Sequence, residues 1–142
     1  MRYLLDTNVC IEILRGRNPA LRSRLELVGF DQLALCSVVW AELLCGAHLS
    51  SNPERERQRV LTAFQGWQRL PFDDGAAERY GVIRAQLQRS GRLIGANDLF
   101  IASIALAQGL TLVTHNAGEF GRVDGLVVED WEAEGHPGAS PS

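Results

Sequence analysis

The sequence contains no lysine, only three cysteines and no long uncharged apolar segment. Its longest uncharged stretch in an apolar context, residues 99–112, is interrupted by polar residues and falls short of the roughly 20 apolar residues of a membrane-spanning helix. The first residues lack the apolar stretch and the small-residue cleavage site of a signal peptide. We therefore expect a soluble, cytoplasmic protein.

The few cysteines argue against two kinds of stabilising site. Cys10, Cys36 and Cys45 are odd in number and show neither a CxxC nor a Cys/His ligand spacing. They predict no disulfide framework and no zinc site, and we expect buried, reduced thiols. The glycine signatures of P-loop and Rossmann proteins are also absent, which disfavours a nucleotide-binding protein.

The charge is unevenly distributed along the chain. All 14 basic residues are arginine, against 17 acids and a net charge of −3. Four acids lie near the carboxyl terminus, so that residues 1–128 carry 14 arginines and 13 acids. A guanidinium can bind two phosphate oxygens at once. The composition therefore permits a nucleic-acid partner, although a coding bias towards arginine explains it equally well.

Short apolar segments that predict strands alternate with segments of helical periodicity. This alternation is typical of an α/β protein with a central parallel sheet covered by helices on both faces. We expect one domain over residues 1–132 and a disordered tail over 133–142. The predicted strands are 3–6, 33–36, 70–72 (at a sheet edge), 111–114 and 126–128, and the predicted helices are 8–15, 19–28, 38–50, 53–69, 74–90 and 97–107.

Three carboxylates are hard to explain as ordinary solvent-exposed acids. Asp6 ends the first predicted strand. Glu42 shares a helical stripe with the apolar Val38, Cys45 and Leu49, which predicts that it faces the core. Asp98 opens the most apolar helix, which we expect to be internal. Each has a structural alternative: the aspartates can serve as helix caps or first-turn acids, and Glu42 can point outwards or pair with an arginine. In parallel sheets the functional crevice lies beyond the carboxyl ends of the strands. Oxygen ligands there favour Mg²⁺ or Mn²⁺, which promotes hydrolysis of phosphodiesters.

Several short motifs follow one another along nearly the whole chain: LLDTN (4–8), SVVWAELLCG (37–46), GAND (95–98), LVTHN (112–116), EF (119–120) and VEDW (128–131). Together they resemble those of the PIN-domain ribonucleases, and among them the VapC-type toxins of bacterial toxin–antitoxin pairs. This resemblance implies a three-layer α/β/α sandwich around a parallel sheet.

The resemblance also implies roles for particular residues. The three acids of the family that hold a divalent metal map onto the three carboxylates described above, and Asn8 would orient the first of them together with its water. Many PIN domains have a fourth acid where this chain has Asn116. Glu119, in the same loop, is a candidate substitute.

The activity implied is that of a Mg²⁺- or Mn²⁺-dependent endoribonuclease toxin, with structured RNA, often tRNA, as substrate. A cognate VapB-like antitoxin and a homodimer that pairs further in the complex are implied as partners. Arg89 and Arg92 are candidate phosphate contacts, or residues of a solvated helix end. His115 is a candidate RNA contact, or an ordinary loop residue.

Two other functions remain open at this point. A PIN scaffold that binds RNA or a protein without cleavage is the main alternative, and the missing fourth acid favours it. A phosphatase with Asp6 as nucleophile is disfavoured, because such enzymes place a second aspartate where this chain has Asn8.

Overall fold

The computed structural model describes residues 1–133. Its centre is a five-stranded sheet in the order β3-β2-β1-β4-β5, and every neighbouring pair of strands is parallel. The carboxyl ends of all five strands therefore lie along one edge of the sheet. The strands are β1 Tyr3–Leu5, β2 Leu33–Cys36, β3 Gln68–Leu70, β4 Thr111–Val113 and β5 Val128–Glu129.

Within residues 1–133, seven α-helices and a 3-10 turn, Phe30–Gln32, flank this sheet. The predicted α/β class with a central parallel sheet is confirmed, as is the three-layer sandwich. No helix of the described chain is long and apolar enough to cross a membrane. The helices are α1 Thr7–Arg15, α2 Pro19–Val28, α3 Ser37–Leu49, α4 Pro53–Ala63, α5 Asp74–Arg89, α6 Ala96–Gln108 and α7 Ala117–Phe120.

Local capping signals explain where several helices begin and end. The side chains of Asn18, Asn52 and Asp73 each accept a hydrogen bond from the backbone three residues on, which satisfies a free N–H of the first turn. Proline follows both asparagines at the first helical position, where its missing N–H costs nothing. Gly109 ends α6 with φ of 66°, a left-handed conformation that glycine adopts without steric strain.

The core lies between the sheet and the helices that cover it. Strands β1, β2 and β4 are almost wholly buried, and α6 contributes Ile101, Ala102, Ile104 and Ala105. The prediction that the most apolar helix is internal is therefore confirmed. Ser103 is also buried there, and its hydroxyl donates to the Leu99 carbonyl oxygen at 2.6 Å, as a buried polar group requires.

Some predicted boundaries are wrong. The helix predicted over 53–69 ends at Ala63, and the strand predicted over 70–72 is Gln68–Leu70. Pairing of Gln68 with Ala34 of β2 sets this register. The sequence pattern does not reveal it, because the two residues are far apart along the chain. The edge position of β3 is confirmed. The last strand also starts later than predicted, at Val128.

The prediction that all three cysteines are buried is confirmed only in part. Cys10 and Cys36 are buried free thiols, as expected, but Cys45 is exposed because it lies on the outer face of α3. Helix α3 begins at Ser37, and Cys36 occupies its capping position. The tail predicted over 133–142 lies, after its first residue, outside the described residues.

Candidate active site at the carboxyl edge of the sheet

Asp6, Thr114 and Asp130 each follow the last residue of a strand and lie at the carboxyl edge of the sheet. Their strands β1, β4 and β5 are adjacent, and the Asp6 N–H donates to the Val113 carbonyl oxygen at 3.1 Å. Because the strands are parallel and in register, these three side chains come from neighbouring positions.

The Asp6 side chain is only 5% exposed. Its Oδ1 accepts a hydrogen bond from the Val9 N–H at 2.9 Å and caps α1, so the capping alternative is confirmed. Burial raises the pKa of Asp6, hydrogen bonds from Thr114 and Val9 oppose that rise, and the charges of Glu42 and Asp130 add to it. A buried carboxylate with a raised pKa thus lies where the predicted crevice begins.

Glu42 is held from a distant part of the chain. The Thr7 hydroxyl donates to its Oε1 at 2.5 Å, across 35 residues of sequence. Glu42 forms no ion pair with an arginine in the described chain. In the sequence, the only indication of this contact is that Thr7 lies in the same motif as Asp6.

The helical stripe that contains Glu42 does not face the core, so that prediction is wrong. We expected Glu42 to interrupt a core-facing stripe with Val38, Cys45 and Leu49, but Cys45 is exposed and Leu49 is 83% exposed. The core-facing positions of α3 are instead Val39, Leu43 and Ala47. Apolar residues occur nearly all round this helix, so periodicity did not identify its buried face.

Asp98 is a first-turn acid of α6, and Gly95, rather than Asp98, occupies the capping position. Its pKa is raised to about 7, first by burial and then by the charge and hydrogen bond of Glu119, with smaller contributions from Asp6 and Glu42. The structure therefore brings Asp98 beside Glu119 and within electrostatic reach of the other two predicted carboxylates.

Glu119 is fixed by two donors. The Gly95 N–H donates to Oε1 at 2.8 Å, and the Asn116 side-chain amide donates to Oε2 at 2.6 Å. These contacts, that of Gly95 above all, lower the pKa of Glu119. Asn116 thus holds the acid three residues further along the chain, in α7.

Asn8 is exposed, and in residues 1–133 its side chain makes no hydrogen bond with Asp6, whose partners are Val9 and Thr114. Its orienting role stays a prediction. Arg89 and Arg92 are exposed at the end of α5 and in the turn before α6, without ion pairs in the described chain. They too stay candidates for phosphate contacts.

The chemistry of these donors fits a hard divalent cation. Asp6, Glu42 and Asp98 offer oxygen ligands only, and their mutual repulsion adds to the raised pKa of both aspartates. A bound cation relieves such repulsion. In the described part of the chain, however, no three acid, histidine or cysteine side chains are close enough together to form a ligand group. Metal binding would therefore require these side chains to move together.

Comparison with known proteins places this arrangement in a family. The model of the PIN domain matches residues 3–126. The chain is 38% identical to a tRNA(fMet)-specific endonuclease VapC of Shigella flexneri, over 92% of this chain and 98% of the relative. It is 35% identical to a ribonuclease VapC of Haemophilus influenzae, over the same shares of both chains.

A solved structure agrees with these relatives. VapBC of Salmonella typhimurium bound to DNA contains a chain that is 36% identical and superimposes with a TM-score of 0.87, covering 92% of this chain and 98% of that one. The family resemblance predicted from the motifs is thereby confirmed. The chain belongs to the PIN-domain family and, within it, to the VapC ribonucleases.

Proposed function

We propose that the protein is the toxin of a type II toxin–antitoxin pair, a Mg²⁺- or Mn²⁺-dependent endoribonuclease acting in the cytoplasm. The observation that carries this proposal is that Asp6, Glu42 and Asp98 lie close enough together for the charge of Glu42 to raise the pKa of both aspartates. Ribonuclease activity follows from membership of the VapC family. The dependence on a divalent cation rests on the donor chemistry of these acids.

In the proposed mechanism, Asp6 and Asp98 would hold the cation, and Glu42 would bind it or position the attacking water. A bound Mg²⁺ or Mn²⁺ ion would supply charge that stabilises the phosphoryl oxygens and lowers the pKa of water.

The surrounding contacts orient these acids. Val9 and Thr114 fix Asp6, and Thr7 fixes Glu42. Glu119, fixed by Gly95 and Asn116, acts as a fourth carboxylate beside Asp98.

The relatives support a substrate class and a partner. The Shigella relative is named for tRNA(fMet), which supports tRNA as the substrate. The Salmonella structure is a VapBC assembly, which supports a cognate VapB-like antitoxin for this chain. A homodimer that pairs further in the complex completes the proposed assembly.

Cleavage of total cellular RNA by purified, antitoxin-free protein tests this function. Reactions contain Mg²⁺, Mn²⁺ or EDTA, with Asp98→Asn as the inactive variant. Asp124→Asn is the matched control, because Asp124 is an exposed aspartate and no residue of the proposed site. We expect discrete, EDTA-sensitive cuts in tRNA that Asp98→Asn loses and Asp124→Asn keeps.

The main competing function is a PIN scaffold that binds RNA or protein without cleavage. Asn116 in place of the fourth acid, together with the separation of the carboxylates, favours it. Metal binding by the protein without RNA cleavage under any cation would establish this scaffold and refute the nuclease.

A further inference from the structure

His115 and Asp130 form a hydrogen-bonded pair at the rim of the candidate active site. His115 comes two residues after the end of β4, and Asp130 directly follows β5. His115 Nδ1 lies 3.0 Å from Asp130 Oδ2. The other oxygen, Oδ1, accepts a hydrogen bond from the Glu132 N–H at 2.9 Å. Both oxygens of Asp130 are therefore engaged, and the orientation of the imidazole ring is set.

The exposure of the two side chains differs strongly. That of His115 is 64% exposed, whereas that of Asp130 is 18% exposed. Because Nδ1 faces Asp130, Nε2 is the ring nitrogen available to a ligand. A carboxylate that engages one imidazole nitrogen fixes the tautomer and the direction of the other. Asp130 accepts from Nδ1–H, so Nε2 of the neutral ring is an acceptor, and Nε2 becomes an N–H donor in this defined direction when the ring is protonated.

The charges around His115 favour its protonated form. The carboxylates that face it are Asp130, Glu132 and Asp6, and the hydrogen bond and charge of Asp130 raise the pKa of His115. The rim is otherwise acidic here, which repels the backbone of a nucleic acid. A protonated imidazole offers a phosphate a charge-assisted hydrogen bond at this rim.

The position of His115 connects it with the carboxylates of the site. Its neighbour Thr114 hydrogen-bonds the Asp6 side chain, and the charge of Asp6 acts on His115 itself. Because RNA carries a phosphate at every nucleotide, a strand with one phosphodiester at the carboxylates offers further phosphates to groups around the site. A phosphate near the cleaved one is therefore the chemical group that fits the His115 donor.

We propose that His115 binds a backbone phosphate of the RNA through Nε2–H and that Asp130 is the positioning residue that directs this donor. The proposal rests on the proposed ribonuclease function for the nature of its ligand. It adds an RNA contact outside the set of carboxylates that hold the cation.

The test measures RNA binding separately from cleavage. The full chain carrying Asp98→Asn is titrated in Mg²⁺ buffer against fluorescein-labelled bulk tRNA, and anisotropy is followed at several salt concentrations. His115→Gln and Asp130→Asn are added to this background. His48→Gln is the matched control, because His48 is an exposed histidine on α3. Melting curves establish that each variant is folded.

We expect His115→Gln to weaken binding about tenfold, since a charge-assisted hydrogen bond is lost. The plot of log affinity against log salt should become less steep by about 0.7, the value for one phosphate contact on a single strand. Asp130→Asn should weaken binding less and shift its pH dependence to lower pH, a change that a merely structural role does not produce. His48→Gln should bind like the parent.

Three results would overturn the proposal: no tRNA binding by the parent, unchanged affinity and slope in His115→Gln, or an equal loss in His48→Gln. Cleavage by the otherwise wild-type chain is scored in parallel. Binding that depends on His115 without any cleavage would refute the proposed nuclease and leave the phosphate contact standing. Cleavage by a chain whose tRNA binding does not depend on His115 would leave the nuclease standing and refute the phosphate contact.

Discussion

Thr7 donates a 2.5 Å hydrogen bond to Glu42 and so joins the first turn of α1 to the second turn of α3. Thr7 directly follows Asp6, whose side chain caps the same helix α1. Two of the three candidate metal-binding acids are therefore oriented by one short segment at the end of β1. A change at Thr7 acts on Glu42 without removing any carboxylate.

Thr7→Val should lower kcat for RNA cleavage about tenfold to a hundredfold. Loss of a hydrogen bond to a charged group costs about 1.5–3 kcal/mol, and Glu42 is then free to rotate away. Thr7→Ser keeps the hydroxyl and should retain most activity. Single-turnover cleavage rates measure the loss of activity. Titration calorimetry with Mn²⁺ measures how far the freed Glu42 weakens cation binding. Equal activity of the valine and serine variants would contradict the positioning role of Thr7.

Asp6→Asn should abolish cleavage while leaving the fold intact. The asparagine oxygen can still accept the Val9 N–H that Asp6 Oδ1 accepts at 2.9 Å, but it carries no charge for a cation. Asp6→Ala should be inactive too and also less stable than Asp6→Asn by about 1 kcal/mol, because the cap is lost. Cleavage assays with urea denaturation of both variants check this, and residual cleavage by Asp6→Asn would exclude the proposed role of Asp6.

Without metal, the protein should lose stability as the pH rises from about 4 to 7 and beyond. The pKa of Asp98 is raised from 3.8 to about 7, so that the folded state binds more protons than the unfolded state in this interval. Its contribution to stability is complete below the lower pKa and is lost as the pH passes the higher one. The raised pKa of Asp6 acts in the same direction.

Melting temperatures in EDTA between pH 4 and pH 8 measure this effect. Asp98→Asn should show a shallower decline with pH, because its amide does not titrate. Added Mg²⁺ should stabilise the wild-type chain more than the variant at pH 8, since a ligand bound to the folded state raises its stability. Parallel pH curves for the two proteins would rule out the raised pKa of Asp98.

Asn116→Asp should reduce activity even though it restores the fourth acid of the family. The new carboxylate would face Glu119 Oε2, which now accepts a hydrogen bond from Asn116 at 2.6 Å. Repulsion should then raise the pKa of Glu119 and displace it from Gly95. The double variant Asn116→Asp with Glu119→Gln reverses donor and acceptor and should recover part of the activity. A gain of activity in the single variant would argue against a role for Glu119.

Patterns within a few residues predicted much of the fold. The Asn-Pro pairs before α2 and α4 and the apolar segments of the strands act over one or two turns, so their effects can be recognised in the sequence. The same local signals failed where distant pairing decided the outcome. Strand β3 starts at Gln68 because β2 binds it there, and α7 is a single turn that no periodicity marks.

The sequence by itself determined the α/β class and six helix starts to within one residue, and it singled out the three carboxylates as candidates, because those depend on residue type and short-range spacing. Only the tertiary structure decided how the acids are held. Glu42 meets Thr7 across 35 residues, Gly95 meets Glu119 across 24, and His115 meets Asp130 across 15. These contacts exist because a parallel sheet gathers the ends of separate strands at one edge, an arrangement that arises only when the chain folds.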